Sequence, residues 1–155
     1  MAARENHQFA GDARSMFSFG GQGDGRIAIT TNWPAADLTA ANIQKLFRFQ
    51  RTGRVGNFTI YADGEMDSHA TPTLTWQVGV DGTDTATTTD PNKYMSAVTD
   101  AEAVAGHGTN ELAETTEAGS RVIAGDYITL GTLAAAATGV AGNVTIAFTF
   151  FPEDV

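Results

Sequence analysis

At 155 residues the chain has room for one domain, since a single core serves roughly 100–200 residues and at that size needs no metal or disulfide to hold it. It has no cysteine, which excludes zinc–thiolate sites, iron–sulfur clusters, thiol nucleophiles and redox motifs. A formal charge of −9 disfavours nucleic acid and anionic membranes as partners, and 22 Thr, 25 Ala and 17 Gly with only 17% charged residues point to strands and turns over helices.

The charge is uneven. Residues 1–54 hold seven Lys/Arg and four Asp/Glu, net +3, whereas residues 55–155 hold two and fourteen, net −12, so an electrically two-faced molecule is expected. The start, Met1 to Gln8, has no apolar h-region, and no stretch approaches the about 18 apolar residues of a membrane span; the expectation is a soluble protein without a conventional secretory signal.

Residues 1–25 are rich in glycine, with Gly20, Gly21, Gly23 and Gly25 close together, and read as an extended N-terminal arm carrying one apolar island, Met16-Phe17-Ser18-Phe19. Residues 26–155 read as the folded domain. Period-two alternation predicts strands over Arg26–Thr31, Asn57–Ala62, Thr73–Val80, Arg121–Leu130 with a turn or bulge at Gly125-Asp126, and Asn143–Phe151. In the third of these, Leu74, Trp76, Val78 and Val80 share one face; in the last, Val144, Ile146, Phe148 and Phe150 do. Both faces are assigned to the core. Asp37 to Phe47 predicts a short helical turn, N-capped by Asp37, running into a strand. Met95 to Leu112, interrupted by Gly106-His107-Gly108, reads as a long surface excursion with at most a short helix. Asp63-Gly64 reads as a tight turn.

Few residues suggest chemistry. Asp63, Glu65 and Asp67 alternate, with His69 beyond them, and oxygen clusters suit hard cations; the spacing departs from the EF-hand loop, and a solvated acidic hairpin is the favoured reading. Asp81-Gly82-Thr83-Asp84 is ordinary loop composition. No serine sits in a G-x-S-x-G elbow, and His7, His69 and His107 lack a metal-ligand spacing, so no catalytic residue, metal or cofactor is assigned and the chain reads as a non-enzyme. The glycines at 20–25 precede a strand where a phosphate loop would need a helix. Lys45, Arg48, Arg51 and Arg54 form the one basic cluster, interleaved with Phe47 and Phe49. Two readings fit it: a surface that meets an acidic protein partner, or cations paired with the chain's own surplus carboxylates such as Asp63 or Glu65.

Trp76-Gln77-Val78-Gly79-Val80-Asp81-Gly82-Thr83, Ala124-Gly125-Asp126-Tyr127-Ile128-Thr129-Leu130 and Gly142-Asn143-Val144-Thr145-Ile146-Ala147-Phe148 together resemble the Thr/Gly/Ala-rich strands of small virion proteins of tailed bacteriophages. The resemblance implies an all-β fold: a single antiparallel β-sandwich, jelly-roll-like, with the extended N-terminal arm. It also implies a capsid decoration or cement protein, often a homotrimer, made in the host cytoplasm and bound to the outer surface of the major capsid lattice. The partners expected are then the major capsid protein or another virion protein and further copies of the chain, with no nucleic acid and no membrane. Phe17 and Phe19 on the arm, with Lys45, Arg48, Arg51 and Arg54, are the candidate partner-binding residues. The alternative from another class is a carbohydrate-binding or receptor-binding fibre or tail domain, with Trp33, Trp76 and Tyr94 as stacking platforms.

Overall fold

The structure, a computed structural model, describes residues 3–5 (backbone only), 25–82, 89–108 and 121–153. Its strands are β1 (Ala3–Glu5), β2 (Gly25–Trp33), β3 (Ile43–Arg48), β4 (Gly53–Ala62), β5 (Thr75–Asp81), β6 (Asp90–Thr99), β7 (His107–Gly108), β8 (Arg121–Val122), β9 (Tyr127–Ala134) and β10 (Gly142–Pro152). Two short helices, α1 (Ala35–Leu38) and α2 (Asp100–Ala105), follow β2 and β6. One sheet runs β1-β3-β9-β5-β6 and the other β2-β10-β4-β7, with β8 also on β4. All pairings are antiparallel except β1 on β3, where Ala3–Glu5 aligns with Ile43–Lys45.

The pairing order has a simple logic. Strand β2 pairs with β10, β3 with β9, β4 with β7 and β8, and β5 with β6. Early strands meet late ones from the outside inward, as in one long hairpin rolled into two sheets, and this is the jelly-roll arrangement.

Alternation sets the core. Along β10, Val144, Ile146, Phe148 and Phe150 are fully buried, and along β5 so are Trp76, Val78 and Val80, with Leu74 just before them. Phe148 lies at the centre of an aromatic cluster, 5.9 Å from Phe47, 6.0 Å from Phe49 and 5.5 Å from Phe58, while Phe58 stacks on Tyr94 at 4.4 Å. Trp33 and Trp76 meet edge-to-face at 5.2 Å nearer the other end. A bulge opposes Asn57 and Phe58 to Phe148 alone, and Asn57 takes φ 52°, a left-handed conformation asparagine tolerates better than most residues.

Three expectations are corrected. Met95–Thr99 belongs to a strand and is no surface excursion: Met95 and Val98 are buried, and a bulge at Ser96-Ala97, with Ala97 at φ 55°, hides the alternation. The residue before α1 is Pro34, with no side-chain cap, and Asp37 lies within the first turn, so its carboxylate is not the N-cap. Asp63-Gly64 opens a long crossover from β4 in one sheet to β5 in the other, because the partner of β4 on that side is β10.

Candidate functional site

Lys45, Arg48, Arg51 and Arg54 were expected together, and the chain brings three of them to one end of the sandwich. Residues 49–52 turn from β3 in one sheet to β4 in the other. Phe49 fixes this turn by pointing inward while its N–H donates to Asp126 O (2.9 Å) and its carbonyl accepts from Gly125 N (2.7 Å). Thr52 ties it to two further segments: its hydroxyl accepts from Ala124 N (3.2 Å) and its carbonyl from Glu153 N (2.9 Å). Arg48 and Arg51 are thereby held exposed, and Arg54, half-buried on β4, lies in register with both Phe151 and Arg121. Phe151 is 48% exposed. Arg121 grips Glu153 through Nε–Oε1 at 3.0 Å and Nη2–Oε2 at 3.4 Å, and this hydrogen bonding, helped by the charges of Arg121 and Arg54, lowers the Glu153 carboxyl from its ordinary value.

Lys45 is different. It projects from the outer face of the β3-containing sheet, 2.8 Å from Asp81 Oδ2 and 5.0 Å from the centre of the Tyr127 ring, over which Arg48 also lies at 5.9 Å. Burial alone would raise the Asp81 carboxyl, but hydrogen bonds from Lys45 and Thr89 and the Lys45 charge bring it below its usual value. The internal partner of Lys45 is therefore Asp81, and neither Asp63 nor Glu65 occupies that position.

Asp63 and Glu65 sit past the far end of β4, roughly 30 Å from Arg54 at about 3.3 Å per strand residue. With them at that end are Asp37, Asp67, Asp100 and Glu102. Among the described residues, Arg48, Arg51 and Arg54 thus lie at one end of the strands with Asp126 and Glu153 beside them, and Asp37, Asp63, Glu65, Asp67, Asp100 and Glu102 lie at the other. Phe17 and Phe19 lie outside the described residues.

The alternating acids do not form a hairpin: Asp63 and Glu65 are exposed on the crossover after β4, and Asp67 alone is turned inward. Asp67 is buried, and its two oxygens accept from five backbone N–H groups: Thr73, Leu74 and Ala137 on Oδ2, His69 and Thr138 on Oδ1. Burial raises this carboxyl, yet the donors of Thr138, Thr73, Ala137 and His69 outweigh it and hold Asp67 far below the usual carboxylate range. Asp63 is spent on Asn143, from the backbone N–H at 3.1 Å and the side-chain amide at 3.3 Å. Among the described residues no group of three or more His, Asp or Glu is placed to hold a metal, and no helix is long and apolar enough to cross a membrane. Trp33 and Trp76, stacking platforms only under the alternative carbohydrate-binding reading, have no exposed surface and cannot stack on a sugar; Tyr94 is 4% exposed.

The sequence matches no family model and no curated protein. Comparison of structures finds likeness to chains in three phage capsids. A chain in the capsid asymmetric unit of cyanophage Pam1 superposes with a TM-score of 0.59 at 20% identity, covering 83% of this chain and 85% of that one. A chain in the capsid of Ralstonia phage GP4 gives 0.55 at 20% identity over 84% and 86%. One in the acid-stable capsid of the Helicobacter pylori bacteriophage KHP30 gives 0.51 at 12% identity over 85% and 96%. The jelly-roll sandwich of this chain is a fold that occurs in phage capsids, and the likeness covers more than four-fifths of the chain.

Proposed function

We propose that the chain is a structural protein of a phage virion, a decoration or cement protein that binds the outer surface of the major capsid lattice and stabilises it. The observation that carries this reading is the shared fold with chains of three phage capsids over more than four-fifths of the sequence. The axial charge layout supports an orientation. Arg48, Arg51 and Arg54, with Phe151 beside them, face an acidic region of a capsid subunit, and the carboxylate end faces outward, where like charge keeps particles apart.

In this reading the protein needs no cofactor and performs no catalysis; it works by many weak contacts repeated over a lattice. It is made in the host cytoplasm and assembles as a homotrimer. The N-terminal arm with Phe17 and Phe19 contributes a contact to a neighbouring subunit. Mass spectrometry of purified particles tests the assignment: hundreds of copies per particle are expected of a lattice-binding protein. A handful of copies would place the chain in a tail or fibre, and absence from particles would end the virion reading. Sedimentation equilibrium of the isolated chain tests the trimer.

A further inference from the structure

The outer face of the sheet containing β3, β9 and β5 carries a cleft of about 190 Å³ between Ile43, Lys45, Asp81, Thr89, Pro91 and Thr129. It exists because β6 does not lie flat beside β5: between Val78 and Val80 the register slips from Met95 to Asp90, and the backbone of Asp90-Pro91 folds over Gly79. Any side chain at position 79 would collide with the Asp90 carbonyl, so glycine is what lets this roof form.

What the cleft offers an occupant is mainly apolar. Ile43 and Pro91 form its walls, and the Thr129 hydroxyl beneath them is buried and shut off from it. The polar groups at its rim are committed to one another: Lys45 Nζ lies 2.8 Å from Asp81 Oδ2, and the Thr89 hydroxyl donates to Asp81 Oδ1 at 2.8 Å. A charged occupant would have to break that pair, whereas an uncharged apolar one leaves it whole. An apolar cavity of about 150 Å³ takes up benzene, so the cleft has the size of a single aromatic ring. A ring there also lies near the Lys45 ammonium, which already stands 5.0 Å from the centre of the Tyr127 ring.

We propose that in the isolated chain this cleft seats one phenyl ring of the apolar island Met16-Phe17-Ser18-Phe19 of the same copy. The path of the chain selects this occupant. Strand β1 aligns Ala3 with Ile43 and Glu5 with Lys45, so the arm leaves the sheet beside the two β3 residues that border the cleft. It rejoins the fold at Gly25, at the start of the edge strand β2, whose side of the sandwich is tied to β3 by the Gln44 amide donating to Asn32 O at 3.3 Å. At up to about 3.3 Å per residue the chain reaches roughly 36 Å from Glu5 to Met16 and roughly 20 Å from Phe19 to Gly25, against about 10 Å between packed sheets. The island is therefore tethered at both ends within reach of the cleft, at the millimolar local concentration of a short linker, which a second copy in solution does not match. The other segment that starts at the rim, residues 83–88, holds only Thr, Asp and Ala and has no ring to offer. This contact belongs to the free chain and does not rest on the virion reading; in a particle, a neighbouring subunit competes for the same island.

The absence of cysteine makes the test direct, because Ser15→Cys gives the full chain a single attachment point for a nitroxide spin label. In the isotope-labelled chain, the amide signals of Ile43, Lys45, Asp81 and Thr129 should be strongly broadened by the label, and equally so on dilution. Adding Phe17→Ala and Phe19→Ala to that chain should restore the signals. The same double substitution without any label should shift those four amides, which guards against a label that itself blocks docking. Phe9→Ala, removing the arm's other aromatic ring, should do neither. Broadening that appears only when a spin-labelled copy is mixed with an isotope-labelled one would place the island on a second copy and overturn the proposal. So would broadening centred elsewhere, release of the cleft by Phe9→Ala, or the lack of broadening together with unmoved amides in the double variant.

Discussion

Asp67 shows why a residue's neighbours in sequence misrepresent its role. Beside Asp63 and Glu65 it reads as one tooth of an acidic comb; in the fold it binds together the crossover after β4 and the segment after β9, which meet only in three dimensions. No periodicity encodes five N–H donors converging from residues 69–74 and 137–138. Asp67→Asn keeps the shape but turns one acceptor into a donor facing N–H groups, so a loss of roughly 3 kcal/mol is expected in denaturant unfolding. The pH dependence has a definite sign. Because the folded-state carboxyl lies below its unfolded value, its contribution is complete above the unfolded range near pH 4. It is lost as pH falls toward the folded value. Thermal melts from pH 6 down to pH 2 should therefore show a steep acid limb in the parent that is flattened in Asp67→Asn. An unchanged acid limb would remove Asp67 from the account.

At the scale of elements, legibility follows regularity. The strands β2, β5 and β10 were readable because their apolar residues alternate in sequence, which places Trp76 and Phe148 on core-facing positions where both are fully buried. Strand β6 was not, because its bulge at Ala97 and its slip past Val80 break the period that carries the signal. The two-residue strands β7 and β8 are too short for any period, and the parallel addition of β1 to β3 has no local signature. Two substitutions test the elements. Gly79→Ala forces the Asp90-Pro91 roof off β5, with an expected cost of about 1–3 kcal/mol, unusual for a single methyl group. Thr99 begins α2 with a reciprocal capping box, its hydroxyl accepting from Glu102 N while Glu102 accepts from Thr99 N. Thr99→Ala should cost about 1 kcal/mol, read from the urea midpoint. Losing the hydroxyl, which donates to Glu102 Oε2 at 2.8 Å, should also let the Glu102 carboxyl rise part of the way toward its ordinary value, the Thr99 backbone N–H still holding it below.

For the whole molecule, the sequence announced a charge imbalance but not its geometry. Net charges of +3 and −12 in two segments do not say whether opposite charges interleave or separate. The roll of the strands decides this by carrying Arg54 and Asp63 to opposite ends of β4, while Lys45 pairs with Asp81 and Arg121 with Glu153. The proposed partner surface of Arg48, Arg51 and Arg54 separates folding from docking: Arg48 and Arg51 are exposed, so reversing their charge should leave the core intact. The most direct measurement is therefore co-sedimentation of the chain with capsids lacking it, for the parent and for the Arg48→Glu, Arg51→Glu double variant, across a salt series, with melting temperatures recorded for both. The account predicts a melting temperature within a few degrees of the parent, sharply reduced capsid binding by the variant, and parent binding that weakens as salt shortens the screening length from about 10 Å at 0.1 M toward about 3 Å at 1 M. Parent-like, salt-insensitive binding by a variant that melts with the parent would contradict it.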